Sequence, residues 1–219
     1  MLRLPEFRYQ AARDPADAVA RYSDSEHAVF VAGGTDLLPN MKHQLVTPRD
    51  VIGLTAALGR TITVTDTAFR IDSGVTLEAL SRQEQVQAEL PALATAAGVV
   101  AGPQIRRMGT LGGNVLLDTR CLYYNQTLFW RQALGYCLKA EGDWCHVIGG
   151  PKTCVAAQSS DTVPVLLSLD AAIELLGPGG TRSVNLRDLY RFNGMDHLKP
   201  SKGEVLTTIV VPRPGKGHR

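Results

Sequence analysis

Four cysteines, Cys121, Cys137, Cys145 and Cys154, are the residues of this chain best equipped for chemistry, and the sequence holds no others. They are spaced Cys-x15-Cys-x7-Cys-x8-Cys inside a 34-residue stretch of a 219-residue chain. Random placement would produce such a cluster on the order of one time in a hundred. Four thiolates can hold either zinc or an iron–sulfur cluster, and the ligand type alone does not separate the two. No Cys-x2-Cys pair occurs, which excludes the zinc-ribbon and bacterial-ferredoxin spacings and leaves a site assembled from a folded loop. Two disulfides would need an oxidising compartment, yet the N-terminal residues 1–8 lack the apolar core of a signal peptide. Four unrelated buried thiols remain a further alternative. Tyr123, Tyr124, Phe129, Trp130 and Trp144 crowd the same stretch and are expected to shield the thiols, to dock a partner, or simply to pack the loop. The histidines His27, His43, His146, His197 and His218 are scattered, with no nucleophile and base at a workable spacing.

Two glycine motifs flank this stretch on the N-terminal side. The apolar run Ala28 to Ala32 reads as a buried strand, and Gly33-Gly34-Thr35-Asp36 follows it directly. Two glycines permit a tight turn and close approach of backbone to a ligand, and Thr35 or Asp36 can cap a helix beginning at Leu37. Strand, glycine turn and helix start together suit a diphosphate. Thr110-Leu111-Gly112-Gly113-Asn114 reads as a second glycine turn, preceded by Arg106 and Arg107, whose charges belong on the surface or on a phosphate.

The remaining elements must position these motifs. Asp14-Pro15 starts the first helix, and 51–54, 61–64 and 69–72 read as short strands. Thr76 caps a helix carrying Leu77 and Leu80, with Glu78 and Glu84 solvated, and the alanine-rich stretch 90–100 forms a helix ended by Ala101-Gly102-Pro103. Asp161 sits at the start of a helix through Leu169; 171–176 and 181–184 pair as a hairpin; a short helix lies near 186–190; and 204–211 is a final strand stopped by Pro212.

With 44% apolar and 20% charged residues, the chain can bury one large core or two lobes. Its 23 basic and 21 acidic residues leave a net charge of +2, and no basic run is interleaved with aromatics, so no nucleic-acid partner is expected. No segment reads as membrane-spanning or as a targeting signal, and a cytoplasmic location is expected.

In this order, Ala32-Gly33-Gly34-Thr35-Asp36, Ala101-Gly102-Pro103-Gln104-Ile105-Arg106, Thr110-Leu111-Gly112-Gly113-Asn114 and Ser160-Asp161 resemble the FAD-binding medium subunit of the molybdenum hydroxylase family, the group that includes xanthine dehydrogenase and carbon monoxide dehydrogenase. The resemblance runs from about Pro5 to Pro212 and implies an α+β fold, a two-lobed FAD-binding (PCMH-type) domain. Its first lobe covers 1–56 and its second 57–212, with a cysteine-bearing loop insertion at 115–159 and a tail at 213–219 in place of the family's C-terminal lobe. Most of the family joins the Gly-Gly-Asn turn to Ser-Asp by a short connection. The longer one here is similar to that of the branch that reductively dehydroxylates an aromatic acyl-CoA, where it holds an additional 4Fe-4S cluster.

By matching position, the resemblance implies that Phe30, Val31, Ala32, Gly33, Gly34, Thr35, Asp36 and Leu37 wrap the FAD diphosphate and that Thr110 donates to a phosphate oxygen, with Gly113 and Asn114 beside it. Val100 and Leu206 flank the flavin, and Asp161 bonds the adenosine end. Cys121, Cys137, Cys145 and Cys154 hold the 4Fe-4S cluster. Implied partners are a molybdenum-cofactor subunit and a 2Fe-2S subunit of the same complex, with a ferredoxin-like electron donor. The alternative is a nucleotide-binding or assembly protein with a structural zinc loop and no redox turnover. An NAD-linked dehydrogenase is disfavoured because neither glycine motif spells Gly-x-Gly-x-x-Gly.

Overall fold

A computed structural model describes residues 2–199 and 203–215; His218 and most of the expected tail lie outside them. The chain opens with β1 (Arg8–Ala11), α1 (Pro15–Ser23), β2 (Ala28–Val31), α2 (Leu37–Lys42) and β3 (Asp50–Gly53). These strands form a parallel sheet in the order β1-β3-β2. Asp14 caps α1, its side chain accepting from the amide of Asp17, and Pro15 occupies the first turn. The strand β1 goes unforeseen because Arg8-Tyr9-Gln10-Ala11 carries no apolar run, and it is secured from outside when Arg8 Nε donates to Asp50 at 2.5 Å.

A second, antiparallel sheet has the order β4-β5-β8-β6-β7, built from β4 (Ile62–Val64), β5 (Ala68–Asp72), β6 (Ala172–Gly177), β7 (Gly180–Asn185) and β8 (Val205–Pro212). Between β5 and β6 run α3 (Leu77–Arg82), α4 (Glu84–Glu89), α5 (Pro91–Val99), α6 (Pro103–Met108), α7 (Leu111–Val115), α8 (Leu128–Ala133) and α9 (Thr162–Ser168), with 3-10 turns at Leu138–Ala140 and, after β7, Leu186–Leu189. In β5 the side chains alternate, so Phe69 and Ile71 face the helices and are fully buried while Arg70 points out to Glu174 at 2.8 Å. One core joins Phe69, Ile71, Ile173 and Ile209 of the sheet to Leu80, Leu93, Leu111 and Leu166 of the helices. A smaller core under the parallel sheet includes Val19 and Ile52 together with Val205, the first residue of β8, so the central strand of the large sheet also seals the small core.

Two local expectations change. The helix starting at Thr76 does not continue through Glu84: Gln83 is extended, and its side-chain oxygen accepts from the amide of Val86 at 2.6 Å, capping α4 as a separate helix. Glu78, expected in solvent, pairs with Arg82 at 2.7 Å and Arg106 at 3.4 Å. Among the described residues no helix is long and apolar enough to cross a membrane.

Deleting core volume here has a defined cost. Phe69→Ala is expected to lower stability by about 3–5 kcal/mol, whereas Arg70→Ala, which removes a half-exposed ion pair, costs under about 1 kcal/mol. Urea unfolding of both variants measures the contrast.

Candidate functional site

Between the two sheets lies a cavity of about 400 Å³, a size that suits an extended organic cofactor. Its walls are the end of β2, the loop 32–36, the start of α2, Ser73, the N-terminus of α7 and the first residues of β8. Every candidate cofactor residue from Phe30 through Leu37 lines it, as do Val100, Thr110, Gly113, Asn114 and Leu206. Asp161 does not. It is exposed at the start of α9, between Ser160 and Thr162, whose hydroxyls both bond the Oδ1 of cavity-lining Asn114 at 2.5 and 2.6 Å.

The glycines explain how backbone comes to line so much of the wall. Gly34 has φ +71°, in the left-handed region where side chains are strained. Gly33 lies so close to α6 that an added Cβ would stand 1.9 Å from the Met108 carbonyl oxygen. The first glycine motif therefore presses against the end of α6, the segment that leads into the second. The second is not a turn but the first turn of α7: Thr110 is its N-cap and accepts from the amide of Gly113 at 3.1 Å, leaving the hydroxyl proton free to donate. Leu111 N–H donates to Val75 O at 2.8 Å and Gly112 N–H to Ser73 O at 2.9 Å, which pins α7 to the segment following β5.

Several polar groups differ from expectation. Neither Thr35 nor Asp36 caps α2 through its side chain; the Asp36 carboxylate instead pairs with Arg120 and accepts from Asn40 Nδ2 at 3.0 Å. Burial pushes this carboxyl above its ordinary range, and the Arg120 guanidinium offsets only part of the shift. Ser160, rather than Asp161, caps α9, its Oγ accepting from the amide of Val163 at 3.1 Å. Arg106 is neither surface charge nor free for a phosphate, because it donates to the carbonyls of Val100 and Ala101 at 3.0 and 2.8 Å. Arg107 is exposed. Ser73 is fully buried and lines the cavity with its hydroxyl unpartnered. No local motif marks that serine, since the sheet and α7 converge on it from elsewhere in the chain.

The cysteine loop leaves and rejoins the fold through paired ties. Asn114 holds Ser160, and Arg120 and Ala157 exchange backbone hydrogen bonds at 2.7 and 3.0 Å. All four cysteines are free thiols, so no disulfide forms. Cys121, Cys137, Cys145 and Cys154 line one small cavity of about 20 Å³ together with Tyr123, Tyr124, Lys139 and His146. Among the described residues, no three His, Cys, Asp or Glu side chains converge as ligands of a single metal ion. Amides of Ile148, Val147 and Val155 point at the Cys145 sulfur and hold its thiol below the ordinary range. Burial pushes the Cys154 thiol up. Lys139 sits behind the thiols, its ammonium donating to Asp118, Thr119 and the Gly194 carbonyl at 2.6–2.8 Å. Of the aromatic residues, Tyr123 and Tyr124 face the cavity, whereas Phe129 and Trp144 are 80% and 50% exposed. His146 Nε2 bonds the Tyr136 carbonyl oxygen at 2.6 Å, and the buried His197 bonds that of Leu117 at 2.8 Å, so both have packing roles.

Residues 5–214 match the family described as "FAD binding domain in molybdopterin dehydrogenase". The aldehyde oxidoreductase FAD-binding subunit PaoB of Escherichia coli (strain K12) is 33% identical over 218 residues, covering 95% of this chain and 69% of that protein. The carbon monoxide dehydrogenase medium chain of Afipia carboxidovorans is 31% identical over 215 residues, covering 97% of this chain and 60% of that one. A solved carbon monoxide dehydrogenase from Hydrogenophaga pseudoflava superposes with a TM-score of 0.73 at 26% identity, over 98% of this chain and 62% of that one. The chain thus spans roughly three fifths to two thirds of the length of these relatives.

Proposed function

The chain belongs to the family of FAD-binding domains in molybdopterin dehydrogenases, and from that premise we propose that it is the electron-transfer flavoprotein subunit of a molybdenum-dependent 4-hydroxybenzoyl-CoA reductase. It resembles the beta subunit of that enzyme. In this reading the chain would hold a 4Fe-4S cluster and FAD between a ferredoxin-like donor and a 2Fe-2S partner subunit, and a molybdenum-cofactor subunit would use two electrons and two protons to release the phenolic hydroxyl as water, giving benzoyl-CoA. The observation that carries the proposal is the pair of neighbouring cavities, one lined by the glycine motifs and one by all four cysteines of the protein.

FAD supplies one- and two-electron exchange when bound, and a 4Fe-4S cluster supplies one-electron exchange. This chain's own residues hold, orient and shield. Gly33 and Gly34 bring backbone against the cofactor, Thr110 Oγ donates to a phosphate oxygen, and Val100 and Leu206 give apolar contact to the flavin ring. Asp161, which the resemblance assigns to the adenosine end, stands outside the cavity lining at the start of α9 and would bond that end from there. Cys121, Cys137, Cys145 and Cys154 are the cluster ligands. That all four line a common cavity supports one shared site; four thiolates suit zinc or an iron–sulfur cluster alike, and it is the resemblance of the loop that favours the cluster. The amides aimed at Cys145 favour its thiolate form.

Ser73 offers a test of the flavin cavity. Its hydroxyl is buried without a protein partner, and a rotation toward the cavity that the residue lines would let it bond FAD. Ser73→Ala should raise the stability of the FAD-free chain by about 1 kcal/mol and weaken FAD binding about tenfold. Thermal unfolding and calorimetric titration read the two opposite signs, and an unchanged FAD affinity would contradict the assignment. For the substrate, the assembled complex is reduced anaerobically with a low-potential one-electron donor and mixed with 4-hydroxybenzoyl-CoA. Reoxidation of the flavin with release of benzoyl-CoA is expected; a flavin that stays reduced would rule that substrate out.

A further inference from the structure

The inserted cysteine loop grips α2 at both ends. At the first end Arg120, the residue before Cys121, pairs with Asp36 and donates to Asn40 Oδ1 at 3.0 Å, while Asn40 Nδ2 donates back to Asp36 at 3.0 Å. The result is a closed triangle across the first turn of α2. At the other end Arg131 of α8, only 6% exposed, donates through Nη2 to the carbonyls of His43 and Gln44 at 2.8 and 3.0 Å, the groups left open where α2 stops. Just beyond, Leu45 packs against Tyr124, Cys137 and Ala140. The same helix begins at Leu37, which lines the FAD cavity, and its far end rests on a wall of the thiol cavity.

A six-residue helix is far too short to persist by itself, because isolated helices below about 12 residues are marginal in water. What stabilises α2 is therefore its surroundings, and two arginines and a leucine contact of those surroundings belong to the insert. A helix that depends on its surroundings responds to whatever orders them, and the walls of both cavities touch this one.

We infer that α2 couples the two sites: ordering of the cysteine loop around its cluster tightens FAD binding, and Arg120 and Arg131 are the positioning residues that transmit the effect. The inference deepens the function proposed above and rests on it for the identity of the loop's ligand. The clasp itself involves no metal. Coupling of this kind is reciprocal, so FAD must tighten cluster binding by the same factor.

The test measures the FAD dissociation constant of the full chain by quenching of flavin fluorescence, before and after anaerobic chelation of iron, with iron and sulfide assayed in every sample. In the unsubstituted protein, stripping should weaken FAD binding about tenfold. The double variant Arg120→Ala/Arg131→Ala should bind FAD about as weakly as the stripped protein and respond no further to stripping. Arg120→Lys, which keeps the charge beside Asp36 but not the fork to Asn40, should recover part of the loss, a graded rescue that general unfolding would not give. Equal FAD affinity with and without iron overturns the inference, as does a double variant that keeps the full difference. If no sample contains iron, the cluster reading fails; weakened FAD binding in the arginine variants would then still uphold the clasp, and unweakened binding would overturn it.

Discussion

Gly33→Ala yields a chain that folds but retains almost no FAD. The added methyl group would stand 1.9 Å from the Met108 carbonyl oxygen and 2.6 Å from its carbon, and neither side can yield cheaply. The carbonyl belongs to α6, whose end is fixed where Gly109 N–H donates to Ile105 O at 2.7 Å and Gly109 O accepts from Leu77 at 2.9 Å. The loop 32–36 must move instead, carrying the cavity wall with it. A backbone clash of this kind costs about 3 kcal/mol, or roughly a hundredfold in FAD affinity. Gly179→Ala is the matched control, since nothing lies within 4 Å of its added Cβ and the site is remote. Flavin content after gel filtration, together with the unfolding midpoint, separates a lost site from a lost fold. Flavin retained at full stoichiometry by Gly33→Ala would remove the loop from the FAD site.

Replacing any one of Cys121, Cys137, Cys145 or Cys154 by serine should strip the iron and sulfide while leaving a protein that still takes up FAD at saturating concentration. A serine hydroxyl stays protonated where a thiol ionises, and metal ligands must be deprotonated. Changing the partners behind a ligand already costs about 10–100-fold in metal affinity, so losing a ligand should cost more. Cys145→Ser is expected to be the most complete loss, because three backbone amides are aimed at that sulfur. The measurement is iron and sulfide per flavin after anaerobic purification. Retention of full iron and sulfide in all four variants would end the ligand assignment.

The parts of the molecule legible in the sequence are those decided within a few residues. Asp14-Pro15 and Thr76 do cap helices, the apolar run at Ala28 does become β2, and the residues flanking Pro178-Gly179 do close a hairpin. The glycine motifs were legible as places where backbone could line a cavity, since glycine alone tolerates the φ of Gly34 and the close approach at Gly33. What could not be read are choices made between distant partners. Asp36 has the type and place of a helix cap, but Arg120, 84 residues away, takes its carboxylate. Arg106 has the look of surface charge, but the carbonyls of Val100 and Ala101 turn back onto it. Ser73 carries no motif, and its burial depends on β8 and α7 arriving on either side. The cysteines announced a common site by their clustering, yet nothing in their spacing revealed that their loop is clamped to the helix leading out of the flavin turn.

One measurement bears most directly on the central claim, that a single chain holds a flavin and an iron–sulfur cluster side by side: an anaerobic visible spectrum of the purified protein with iron, acid-labile sulfide and zinc determined on the same sample. The expected result is the two absorption bands of an oxidised flavin over a broad iron–sulfur shoulder, with about four irons and four sulfides per chain. A colourless protein containing one zinc and neither flavin nor sulfide would contradict it, leaving the fold and the family but not the electron path.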